Sequence, residues 1–312
     1  MMTQRMISTM RFIAVCGFLT LTTITVNGQQ RTQYTQYMFS SLVINPAYAG
    51  VDDALSATFI DRHQWVGVDG APTTQTLTLH GLNSKKRVGL GLTISNDKIG
   101  IHQNLTAQAS YAYHLKVADN SFLSFGLQAG VFHVRSDYGS LVSSGTPDPK
   151  LNGVRINELF FDMGAGLYFR SSKLHAGISA PELLTKSSSV NDTTSVRFKS
   201  VNLLGFLKYR FSLSPSWDVE PAVLVKYFHD VPVSMDASLL FIYKDVLTAG
   251  ASYRKNESIA GLLKISVTRQ LQFGYAYDSP LRQTSGLSNG SHELMVQYLF
   301  RFERSGIKSP RI

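Results

Sequence analysis

From Ala54 to Phe302 the sequence alternates apolar and polar residues, one for one, in segment after segment. In "NLTAQASYAYHLKV", Leu105, Ala107, Ala109, Tyr111, Tyr113, Leu115 and Val117 fall on one face. Asn104, Thr106, Gln108, Ser110, His114 and Lys116 fall on the other. Alternation of this length is the signature of a strand with one apolar and one polar face. "RVGLGLTIS" and "LQFGYAYD" repeat it, and "HELMVQYLFRF" puts Leu294, Val296, Tyr298, Phe300 and Phe302 on one side. About fourteen such segments begin near Ala54, Thr73, Arg87, Asn104, Asn120, Asn157, Lys173, Ser200, Trp217, Val233, Asp245, Ser258, Leu271 and His292, an even count as in bacterial outer-membrane barrels.

The connections carry a second pattern. Every second one is short: "GLNSKK", "VAD", "RSS", "SLSPS", "YK" and "TRQ". All the long ones fall in the alternate set, among them "HQWVGVDGAPT", "NDKIGIHQ", residues 137–156, 181–199 and 279–291. Short periplasmic turns and longer external loops are the habit of outer-membrane barrels, and an even strand count returns both ends of the barrel to the periplasm. A soluble β-sandwich or lipocalin-like barrel would show the same period with the faces exchanged. Against it stand the number and length of the strands, the tyrosines and phenylalanines near strand ends, and the aromatic alternation of the last strand. The predicted fold is an all-β, antiparallel transmembrane β-barrel of the bacterial outer membrane, of about fourteen strands.

The first 28 residues carry Arg5 and Arg11, no acid, and an apolar run from Phe12 to Val26 before Asn27 and Gly28. This is the layout of a secretory signal peptide, too short for a spanning helix. A lipoprotein signal with Cys16 as the lipidated residue is the alternative. Cleavage near Gly28 is expected, which removes the only cysteine and with it disulfides, zinc–thiolate sites and cysteine nucleophiles. It also takes the formal charge from +9 to +7, since Arg5 and Arg11 leave. No basic cluster exceeds "KKR" at Lys85–Arg87, so the charge suits anionic lipid headgroups better than nucleic acid.

Between this signal and the first strand lies "QYMFSSLVINPAYAG". Such an apolar, aromatic piece needs cover, and the barrel is the nearest. The expectation is a plug that enters the lumen or caps its periplasmic mouth, built on Tyr37, Met38, Phe39, Asn45, Pro46 and Tyr48. It would be a short helix ending before "NPAYAG", because Pro46 biases Asn45 away from helical geometry and Gly50 permits the turn into the strand. A loose N-terminal arm is the alternative. The expected organisation is a signal peptide over 1–28, a plug or periplasmic segment over 29–50, the barrel over 51–302 and a short periplasmic tail over 303–312.

No catalytic or cofactor-binding constellation emerges. Of the eight histidines, no pair has metal-ligand spacing on one element. A lipase site using His292, Glu293 and a nearby serine lacks any motif. The glycines of "GLGL" and "SFGLQAG" sit in alternating strands rather than before a helix. The best candidate surface is the loop "DRHQWVGVDGAP", with Arg62, Gln64, Trp65 and Val66 as candidate partner-binding residues. Trp is a common interface anchor and also a common membrane-belt residue.

The run "QYTQYMFSSLVINPAYAGVDDALSATFIDRHQWVGVDGAPTTQTLTLHG", followed by "VGLGLTISNDKIG", resembles the PorP/SprF family of outer-membrane proteins of the type IX secretion system. The Q-Y-M-F start, the I-N-P-A-Y-A-G turn, the R-x-Q-W-V-G loop, G-A-P-x-T-Q and the G-L-G-x-x-x-x-N-D-x-I-G hairpin are all present. The resemblance implies a non-enzymatic barrel in the outer membrane, without cofactor. It would support export or cell-surface attachment of a large secreted partner such as an adhesin of gliding bacteria, with type IX substrates or machinery as partners. A channel or hydrophobic small-molecule transporter is the alternative.

Overall fold

The computed structural model describes residues 32–52, 54–83, 85, 87–138, 155–184, 186–191, 194–198, 202–228, 232–281 and 288–300. The signal peptide and tail expected from the sequence, and Phe302, lie outside them. The alternating segments form strands β1 (Leu55–His63), β2 (Thr73–Asn83), β3 (Val88–Ile99), β4 (His102–Ala118), β5 (Ser121–Asp137), β6 (Arg155–Arg170) and β7 (Leu174–Ala180). A hairpin follows, β8 (Lys186–Asn191) with β9 (Thr194–Phe198). Then come β10 (Asn202–Tyr209), β11 (Phe211–Ser214), β12 (Trp217–Phe228), β13 (Ser234–Tyr243), β14 (Leu247–Arg254), β15 (Ser258–Ser266), β16 (Leu271–Pro280) and β17 (Ser291–Phe300). β11 continues β10 beyond Arg210, both against β12, so the wall is a closed antiparallel barrel of 14 strands. The sheet closes where β1 meets β17, with Arg62 opposite Glu293 and Phe59 opposite Val296.

Period two sorts the wall. Along β1, Ser56, Thr58, Ile60 and Arg62 point into the lumen and are buried, while Leu55 and Phe59 point out and are exposed. Along β2 the lumen face is Thr74, Thr76, Thr78 and His80. Apolar outside and polar inside is the reverse of a soluble barrel and fits hydrocarbon around it. At the short-turn end Trp217 packs on Tyr243 at 4.8 Å and Tyr298 on Phe300 at 4.6 Å, aromatic pairs of the kind found at membrane interfaces.

Three expectations change. "NDKIGIHQ" is not a loop: β3 and β4 run through it and only Gly100 and Ile101 turn the chain. The long β4 and β5, each 17 residues, exceed the roughly 9–11 residues that a spanning strand needs. The stretch before β10 holds the β8–β9 hairpin, which pairs apart from the barrel sheet. The N-terminal segment is not one helix but two 3-10 turns, Ser41–Val43 and Pro46–Tyr48. Pro46 forces Asn45 to extended geometry (φ −148, ψ 115), which stops the first turn, and the Asn45 side chain then caps the second.

The core is therefore unlike that of a sandwich. Tyr37, Met38, Leu42, Val43, Ala47 and Tyr48 form an apolar cluster in the lumen with Ile60, Tyr168, Phe206, Leu240 and Met295 of the wall. Each fully buried Leu, Val or Met contributes about 1.5–3 kcal/mol.

Candidate functional site

Two neighbouring places stand out, the lumen segment and the outer rim beyond β1. The segment enters along the β1–β17 seam. There Glu293, fully buried, accepts the backbone N–H of Thr35 and of Gln36, each at 2.8 Å. Arg62 Nη1 reaches Glu293 at 3.0 Å and Nη2 reaches Asp278 at 2.6 Å. Thr35 Oγ1 donates to Asp278 at 2.8 Å and accepts from Arg62 Nη1 at 2.8 Å. β1, β16 and β17 thus each contribute one charged side chain to a single buried knot around Thr35.

Further in, Tyr37 meets Phe206 edge-on at 6.0 Å, and Ser179 Oγ donates to the Ile44 carbonyl at 2.6 Å. Met38 is buried, and Phe39 is partly buried beneath Lys264. Asn45 donates from Nδ2 to the Leu167 carbonyl at 2.9 Å and accepts the Ala47 N–H through Oδ1. Pro46 begins the capped turn. The wall makes room for it: a Cβ on Gly126 would stand 2.2 Å from Ala47 N, and one on Gly89 would overlap the Ala49 carbonyl. These glycines permit close approach of two backbones.

The exit is held by histidines. His114 Nε2 bonds the Ala49 carbonyl at 2.9 Å, and its Nδ1 bonds Ser124 Oγ at 2.7 Å. His80 Nδ1 accepts the Gly50 N–H at 3.1 Å, so its Nε2 carries the proton facing Asp52 at 3.3 Å. Tyr48 packs edge-on against His80 and Tyr168 and donates to Asp52 at 2.7 Å. Burial works to raise the Asp52 carboxyl, but hydrogen bonds from His80, Tyr48 and Ser56 hold it down at about 2. Burial, reinforced by Asp52, pushes the Tyr48 phenol well above its usual range.

At the opposite, long-loop end, residues 64–72 fold back on themselves and onto their neighbours. Gln64 N–H bonds the Pro72 carbonyl, Val66 N–H bonds the Gly290 carbonyl at 2.9 Å, and Asn289 N–H returns to Val66 O at 2.8 Å. Gly100 N–H bonds Gly70 O at 2.8 Å, tying in the β3–β4 turn. Trp65 sits at φ 48, its N–H on Ser291 Oγ at 3.2 Å. Bulky L residues avoid this left-handed region, at a cost of about 1–2 kcal/mol. Here the Trp65 side chain is 43% exposed, beside exposed Val66 and Val68, while Gln64 is partly buried.

The four residues grouped as one loop by sequence are thus divided. Gln64, Trp65 and Val66 lie on the rim. Arg62 does not: it is 2% exposed, inside β1, and serves the lumen knot. Sequence reasoning missed its partners Asp278 and Glu293 as well as His80 and His114. The alternation itself carried the signal for Arg62, which follows Ser56, Thr58 and Ile60 on the lumen face. His292 and Glu293 point to opposite faces, His292 outward against Tyr275 and Glu293 inward, so they do not share a site.

The profile of a family described as "Type IX secretion system membrane protein PorP/SprF" matches residues 26–298. None of the curated proteins matches the chain. Among solved structures, the monoaromatic hydrocarbon channel TodX (deltaS2 mutant) is similar with a TM-score of 0.53 and 13% identity, over 85% of this chain and 94% of that one. A Pseudomonas aeruginosa FadL homologue gives 0.48 at 12% identity, over 84% and 94%. Acinetobacter baumannii Omp33 gives 0.47 at 8% identity, over 79% and 98%. At such identities the likeness to TodX concerns the barrel fold alone.

Proposed function

The chain belongs to the PorP/SprF family of type IX secretion system membrane proteins, and from that premise we propose that this outer-membrane barrel works as a non-enzymatic holder that grips a large secreted partner, such as an adhesin, by its long-loop rim. The observation that carries the reading is the contrast between an N-terminal segment packed in the lumen and a braced rim whose apolar side chains are exposed. Thr35 to Val51 pack inside the barrel and are tied to the wall from both ends. Trp65, in a strained backbone conformation, is held out with Val66 and Val68 by main-chain bonds to the β16–β17 and β3–β4 connections. A bulky aromatic kept exposed at a conformational cost fits an anchor for a protein surface. The short turns would face the periplasm and the rim the outside.

The test is a deletion strain with surface proteomics, followed by co-purification of partner with barrel variants. Loss of one large type IX substrate from the surface, with others retained, is the expected result. An intact surface proteome combined with failure to take up an apolar nutrient would replace this reading with the transporter. Arrest of all type IX secretion would place the barrel in the core machine.

A further inference from the structure

The short-turn end of the lumen holds a cavity of about 240 Å³ between the N-terminal segment and the inner faces of β12–β17. Most charges on its wall are matched. Lys208 pairs with Glu220 at 3.3 Å, Arg210 with Asp245 at 2.9 Å, and Asp52 with His80 at 3.3 Å. Lys264 is the exception. Its ammonium lies over the Phe39 ring at 4.7 Å and makes no ion pair among the described residues. Thr248 stands directly across from it on β14, and Gln272 lies diagonally across on β16. Neither side chain makes a hydrogen bond among the described residues, and both face the cavity. Three donors without acceptors therefore converge from adjacent strands on one cavity, beside the apolar surfaces of Phe39, Ile242 and Leu299.

We infer that this cavity is a binding site for the carboxylate of a peptide presented from the periplasmic side, with Lys264, Thr248 and Gln272 as donors and Phe39, Ile242 and Leu299 covering the adjoining apolar side chain. The Lys264 ammonium, half-buried with an aromatic ring as its partner, has no carboxylate of its own, and charge-assisted bonds from a ligand carboxylate would engage it together with the neighbouring hydroxyl and amide. One negative charge suffices, because every other cation on the wall has its own carboxylate. Glu220 and Asp52 line the same space and would repel a dianion such as phosphate more strongly than a single carboxylate. The site goes beyond the rim reading and stands without it, since it lies at the other end of the barrel.

Purified mature protein in nanodiscs, titrated with fluorescein-labelled Ala-Ala-Ala-Leu bearing a free C-terminal carboxylate, tests this by anisotropy. The peptide is expected to bind, and its C-terminal amide about tenfold or more weakly, as loss of a charge-assisted pair predicts. An amidated peptide with an internal glutamate shows whether a side-chain carboxylate serves as well as a chain end. Lys264→Met should lose about tenfold, and Lys264→Arg should keep binding within about threefold. Equal binding of acid and amide overturns the proposal. So does unaltered binding by Lys264→Met, absence of binding by every probe to wild type, or displacement by inorganic phosphate as effective as by the peptide. Heat-modified gel mobility of each variant certifies the folded barrel.

Discussion

The lumen segment and the rim loop lie on either side of β1, and they are held by opposite chemistry. The segment is gripped by side chains: Arg62, Asp278 and Glu293 at its entry, His80 and His114 at its exit. The loop is held largely by main-chain bonds, through Gly70, Gly100, Gly290 and Val66, and its largest side chain points away from the protein. Contacts made by buried charges are specific and hard to reform once broken. Backbone bonds set a shape but leave side chains free for another molecule. Buried side chains thus fix the lumen segment, while main-chain bonds fix loop 64–72 and leave Trp65 exposed.

Breaking the entry knot should have the largest effect. Arg62→Met leaves Asp278 and Glu293 buried without their cation, a loss of about 3–5 kcal/mol. Urea denaturation should show it, and planar bilayers should show new conductance as the segment loosens. A silent bilayer with a stable barrel would mean that the apolar cluster around Tyr37 suffices alone. Next comes the rim. Trp65→Gly should weaken partner capture by about 2 kcal/mol, roughly thirtyfold, in pull-downs at matched expression. The same change relieves the left-handed strain, so the barrel should unfold at an equal or higher urea concentration. Trp217→Ala, at the membrane belt, should leave capture intact; equal losses in the two variants would remove the special place of the rim.

Smaller effects lie at the middle and exit of the segment. Asn45→Ala removes the cap on the second 3-10 turn and should cost about 1 kcal/mol, seen as faster hydrogen exchange at Ala47 and Tyr48 with no change in capture. The exit should also respond to acid. Asp52 has a folded value of about 2, below the ordinary value of about 3.9. Its contribution is therefore complete above about pH 4 and is lost as pH falls toward 2. Protection of the Gly50 and Val51 amides, relative to their intrinsic exchange rates, should fall across that window, and Asp52→Asn should abolish the pH dependence of that protection.

The wall was legible because lipid outside and a polar lumen inside impose a strict period, and each expected strand start lies within a few residues of the observed one. "NDKIGIHQ" was not, because strands that rise beyond the hydrocarbon no longer need an apolar face: Asn96, Asp97 and Lys98 are strand residues that read as loop. So apolar a stretch as Tyr37 to Tyr48 reads as needing cover, and the structure places it in the lumen, but its turns could not be read, because Asn45 takes its cap geometry from the wall. Arg62 was read with Trp65 by proximity in sequence, whereas the alternation groups it with Ser56 and Thr58. Its acidic partners lie more than two hundred residues away, and only closure of the barrel brings them together.

That distance has a consequence for biogenesis. Thr35 and Gln36 leave the ribosome before any of the described strands, and the carboxylate that receives their N–H groups belongs to β17, the last of those strands. Until β17 has zipped onto β1, half of the entry knot does not exist, and the segment has no charged seat. Docking of the N-terminal segment is thus the closing event of assembly. A barrel arrested one strand short would hold an unseated leader at its mouth, open to periplasmic proteases, and cleavage after Thr32 would report how far insertion had gone.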